Sequence, residues 1–90
     1  MERSVMVILV GKRKDSAVNV QKILTGWGCL IKTRLGIHDG VLANCTETGM
    51  IILELVGEED KKDELFRKIS LLADVNAKMV KISLKEKEEK

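Results

Sequence analysis

Ser4-Val5-Met6-Val7-Ile8-Leu9-Val10, closed by Gly11, is a run of β-favouring, mostly apolar side chains without a single charge. A strand covered on one side only alternates apolar with polar residues, and this one does not. Val5, Val7 and Leu9 form one set and Met6, Ile8 and Val10 the other. Whichever set meets the core, the other is left apolar on the opposite face. A second run, Met50 to Val56, divides into Ile51, Leu53 and Leu55 against Met50, Ile52 and Val56, interrupted only by Glu54. Two such runs belong at the centre of a sheet.

The segments around them are of other kinds. After Gly11 comes the polar stretch Lys12-Arg13-Lys14, and Asp15 or Ser16 is a natural helix N-cap. Val20, Ile23, Leu24 and Trp27 then fall on one helical face, which Ala17 extends by a turn. Trp27 reads as the end of that core face. Gly28 stands where a left-handed C-cap residue belongs. From Cys29 to Ile37 the period changes to two, with Ile31, Thr33, Leu35 and Ile37 on one side and Lys32 and Arg34 on the other. His38 to Gly49 reads as a long hairpin connection. Gly57 and Glu58-Glu59-Asp60 end the third strand and open a second helix, where negative charge suits the N-terminal dipole. Leu65, Ile69 and Leu72 share its apolar face, with Phe66 and Ala73 at the flanks. Val75 to Leu84 is the last strand, and 85–90 is a charged tail.

The order βαββαβ predicts an α+β, ferredoxin-like sandwich: a four-stranded antiparallel sheet with both helices on one face. The first and third strands are then central and the second and fourth lie at the edges. A single domain over 1–84 accounts for the whole pattern, because 90 residues leave no room for a second core. The surplus apolar face in the middle of the sheet marks an interface between copies of the chain. With Val5, Val7 and Leu9 on the helices, that interface is Met6, Ile8, Val10, Met50, Ile52 and Val56. The apolar run itself allows either face of the first strand to meet the helices.

Composition excludes several functions. The longest apolar runs are too short to span a bilayer, and no signal-type segment opens the chain. Two cysteines outside any C-x-x-C pair read as reduced thiols of a cytoplasmic protein. Residues 1–45 carry seven Lys/Arg against three Asp/Glu, and residues 46–90 nine against eleven, so the halves are +4 and −2. No basic stripe of the kind a phosphate backbone needs follows from that. Trp27 and Phe66 are the only aromatics, so the central strands lack the stacking residues of an RNA-binding sheet. Both helices are used to cover the sheet, which leaves none to enter a DNA groove.

Arg34-Leu35-Gly36-Ile37, the loop after it and Gly49-Met50-Ile51-Ile52-Leu53 resemble the ACT-like iron-only hydrogenase system regulators. Val7-Ile8-Leu9-Val10, Val20 to Leu24, and Leu65, Lys68, Leu72 and Val75 fit the same template, which spans roughly residues 4–84. Asp74 departs from it, standing where members of the family often place a glycine. The resemblance implies a homo-oligomeric ACT-like fold with a regulatory role; no enzymatic activity and no cofactor are expected from the residues themselves. It also implies a small effector, such as an amino acid, held between subunits. Residues for that site are Gly11, Lys12 and Arg13 before the first helix, whose free N–H groups suit a carboxylate, with Arg34 and Gly36. The Asp-x-x-Gly pattern of amino-acid-binding ACT domains is missing, and Gly11-Lys12 does not have P-loop spacing.

The sequence offers two further constellations. His38 and Cys45 flank the hairpin as metal ligands do in the related domain of nickel-responsive regulators. One histidine and one thiol would still need carboxylates or a second subunit to fill a coordination shell. The same pair as nucleophile and base lacks an orienting third group, and no counterpart of the acylphosphatase loop G-x-V-Q-G-V-x-F-R is present. Arg34 beside Gly36 serves either to bind an effector carboxylate or acidic partner or to guard an edge strand. The alternative to a sensing domain is a protein-interaction module without a small ligand.

Overall fold

Two glycine-terminated apolar strands, two flanking strands and two amphipathic helices set the architecture. A computed structural model describes residues 2–11, 15–38 and 49–84, with the side chains of 37 and 38 outside that description. The elements are β1 (Glu2–Val10), α1 (Ser16–Gly26), a 3₁₀ turn (Gly28–Leu30), β2 (Ile31–His38), β3 (Gly49–Leu55), α2 (Glu59–Ser70) and β4 (Val75–Ser83). They form one antiparallel sheet in the order β2-β3-β1-β4, with the two helices on one face. The α+β ferredoxin-like class and the central positions of β1 and β3 follow the sequence expectation. The tail 85–90 and the loop 39–48 lie outside the described residues.

The core sits between sheet and helices. Met6, Ile8 and Val10 from β1 and Ile51, Leu53 and Leu55 from β3 meet Val20 and Leu24 of α1 and Leu65 and Ile69 of α2. Met6 and Ile8 are 0% exposed. The first strand therefore turns the opposite way from the interface set that counted Met6, Ile8 and Val10. These three are core, and Val5, Val7 and Leu9 face away from the helices. Ser4 shares the inward side and is fully buried. Its Oγ accepts a bond from Lys62 Nζ at 3.1 Å. The Lys62 stem lies along the core's end, and its ammonium also stands 3.5 Å from Glu59.

Local details differ from expectation for definite reasons. Ser16 rather than Ala17 continues the buried face of α1. Its hydroxyl donates to the Ala73 carbonyl at 3.1 Å, while Asp15 holds the cap position without a side-chain bond. No left-handed residue is needed at Gly28, because α1 runs through Trp27 into the 3₁₀ turn, where Leu30 N–H donates to Trp27 C=O at 3.0 Å. Among the described residues the left-handed positions are Gly57, with φ 105°, and Asp74, with φ 60°. α2 carries Glu59 and Asp60 in its first turn and Arg67 and Lys68 in its last, both matched to its dipole.

Gly11 and Asp74 are locked together. Gly11 N–H donates to the Asp74 carbonyl at 2.8 Å. A Cβ on residue 11 would lie 2.2 Å from Asp74 Oδ2, inside any allowed contact. Gly11→Ala should therefore cost about 1–3 kcal/mol in urea unfolding, as overpacking does. At least half of that loss should return in an Asp74→Gly background. An equal loss in both backgrounds would place the constraint in the backbone and not in the carboxylate.

Candidate functional site

Pairing places the uncovered face residue by residue. Val7 lies opposite Ile52 on one side and Lys78 on the other, Leu9 opposite Met50 and Asn76, and Val5 opposite Glu54 and Val80. Leu35 of β2 continues the Val7–Ile52 row. The apolar residues of this face are Val5, Val7, Leu9, Leu35, Met50, Ile52, Val80 and Ile82, with Asn76 and Lys78 of β4 beside Leu9 and Val7. Met50 and Ile52 belonged to the expected interface and lie on this face. Val56 follows the end of β3, exposed, with its N–H donating to Leu30 C=O at 2.8 Å. Leu9 and Leu35 are about half exposed, at 50% and 54%.

Leu35 reaches this face through a bulge. Ile31 pairs with Leu55 and Thr33 with Glu54, so Lys32 is one residue extra on β2. Ile31 packs against the core, whereas Thr33 and Leu35 lie on the open side. Strict alternation would have kept all three together. Arg34 is shifted with them: it stands opposite Leu53, on the helix side, and its Nη2 donates to Gln21 Oε1 of α1. Gly36 follows on the same side, opposite Ile51, and a Cβ built there meets nothing within 4 Å.

One end of the open face is closed by an ion pair. Arg3 donates from Nε and Nη2 to the two oxygens of Glu54 at 2.6 and 2.7 Å. The Arg3 hydrogen bond holds the Glu54 carboxyl below its ordinary value, desolvation opposes it, and the charges of Arg3 and Lys32 add to the lowering. Across the molecule, Lys81 donates to Glu59, and this bond likewise lowers the Glu59 carboxyl.

Of the expected effector residues, the described Gly11 and Arg34 do not lie together within one copy. Lys12 and Arg13 lie outside the described residues. Gly11 ends β1, whereas Arg34 sits level with Met6, two strands away and five residues back. That separation is about 19 Å from strand spacing and rise. Gly11 is also packed against a carboxylate of the chain itself, that of Asp74. Cys45 lies outside the described residues, as does the His38 side chain, so the metal pair is not placed. Among the described residues no group of three His, Cys, Asp or Glu side chains is arranged to hold a metal ion. Cys29 is an exposed free thiol. No described helix is long and apolar enough to cross a membrane.

Val5, Val7 and Leu9 are the surface residues that sequence reasoning assigned to the wrong side. Arg3 shares their parity and finds its carboxylate on the outward side of β3, but Ser4 beside it marks the opposite parity.

Among solved structures, that of the uncharacterized protein TM1266 from Thermotoga maritima is similar, with a TM-score of 0.77 and 21% sequence identity. The match covers 92% of this chain and 100% of that one. At this identity the likeness establishes the βαββαβ fold and nothing finer. No family model matches the chain, and neither does any curated protein.

Both lowered carboxyls give stability a defined acid dependence. A carboxyl depressed in the fold contributes fully above its unfolded value of 4.5, and the contribution is lost as pH falls through the lower folded value. Urea midpoints measured between about pH 6 and pH 3 should therefore fall on acidification. They should fall less steeply in Glu54→Gln and in Glu59→Gln. A variant with the slope of the wild type would show that its carboxyl is not held by the pair.

Proposed function

We propose that the chain is a non-catalytic, self-associating ACT-like module whose open sheet face is covered by the same face of a second copy. The observation that carries this reading is the apolar row running from Leu35 through Ile52 to Val7, uncovered by either helix. The face measures about 19 by 23 Å from strand spacing and rise. Two copies would bury roughly 900 Å² of projected area, and more of accessible area, which reaches the lower range of specific interfaces. The Arg3–Glu54 pair is satisfied within one copy, so it can border such an interface without burying an unpaired charge.

Of the two forms this reading takes, sensing and protein interaction, the position of Asp74 favours the second. An effector carboxylate brought to Gly11 would meet the Asp74 carboxylate already against it. A regulatory role of the hydrogenase-system type is then exercised through a protein partner and not through a bound amino acid.

Light scattering at tens of micromolar should give about twice the chain mass of 10.1 kDa. Ile52→Lys should reduce it to one chain with unchanged far-ultraviolet circular dichroism, since residue 52 is outside the core. A monomeric wild type would end the self-association reading. In thermal shift, single amino acids should leave the melting temperature unchanged. A ligand present at 100 times its Kd adds about 2.7 kcal/mol, so a clear upward shift would reinstate the sensing form.

A further inference from the structure

The second edge of interest is β2 itself. Lys32 to Gly36 are exposed on the helix side and on the open side alike, and among the described residues the outer edge of β2 has no strand beside it. An edge strand presents alternate N–H and C=O groups as a template for another extended chain. Side chains restrict what that chain is. From Ser16 to His38 the charged residues are Lys22, Lys32 and Arg34, with no carboxylate among them. Among the described residues none of these three is in an ion pair, and Arg34 has only the neutral Gln21 as partner.

A second copy of β2 is a poor occupant. Antiparallel self-pairing would set Lys32 and Arg34 against Lys32 and Arg34, and like charges facing across strands are unfavourable. Nucleic acid is poorly served by so few cations on a strand without aromatics. What remains complementary has a period of two. Arg34 faces the helix side, beside the open space over Gly36, and Leu35 faces the other way. A strand laid along this edge would fit with acidic side chains on the helix side and apolar ones on the open side.

We propose that β2 is a docking edge for an acidic extended peptide of alternating acidic and apolar residues, added as a fifth strand. The inference goes beyond self-association, because it uses the edge and not the apolar face.

The test is amide-resolved nuclear magnetic resonance on the isotope-labelled full chain, titrated with a capped peptide of alternating glutamate and valine. Shifts and slowed hydrogen exchange should centre on residues 31–36. Arg34→Glu, at an exposed position, should weaken binding about tenfold or more, and Lys78→Glu, the same charge change on the opposite edge, should leave it nearly unchanged. The Ile52→Lys variant should bind like the wild type, which separates this result from the fate of the self-association reading. Perturbations centred on β4 or on Val7 and Ile52 would overturn the proposal. So would equal binding of a peptide with the same residues in blocks, or tighter binding of an oligothymidylate of equal charge.

Discussion

β1 is bonded along both edges, to β3 on one side and to β4 on the other, and a pleated strand shares its two faces with every strand it pairs with. Sending Met6 inward sends Leu53 and Met79 inward with it. Sending Val7 outward carries Ile52 and Lys78 outward. The helices then close over whatever that choice leaves on their side. The choice has a polar cost, since it buries Ser4 completely. Lys62 offsets it by reaching down from α2 to give the hydroxyl a partner, its methylenes covering the end of the core.

Element order and strand positions were legible because they rest on short-range signals: glycines after apolar runs, acidic residues before α2, a change of period at Cys29. The phase of β1 was not legible from its apolar run, because both of its sets are apolar. The two polar residues nearby point in opposite senses: Arg3 marks one parity as outward, and Ser4 marks the other. Deciding between them needs Glu54 and Lys62, which lie 51 and 58 residues away and act only once the register is known. The bulge at Lys32 was equally hidden, since Ile31, Thr33 and Leu35 look like one face in any strictly alternating strand.

The candidate residues met mixed fates for similar reasons. Gly11 was singled out for an open loop, yet its lack of a side chain answers to Asp74. Asp74 itself is held left-handed, a conformation that asparagine and aspartate tolerate better than most side chains. Arg34 was expected on the face opposite the apolar set of β2, and the extra residue before it turns it to the helix side instead, against α1. The ion pair of Arg3 with Glu54 is built from residues that share no local pattern, which is why no motif announced it.

The bulge also bears on how this chain tolerates changes of length. Surface segments usually absorb a lost or gained residue at little cost, and Lys32 is exposed. Removing Lys32 would make Ile31, opposite Leu55, and Thr33, opposite Glu54, immediate neighbours, so every side chain beyond them would keep its face. Regular pairing with Lys32 retained would instead bring Thr33 and Leu35 under the helices and turn Arg34 out onto the apolar side. The extra residue is therefore slack in the edge strand, and two related chains could differ there by a single residue while presenting the same surfaces to the world.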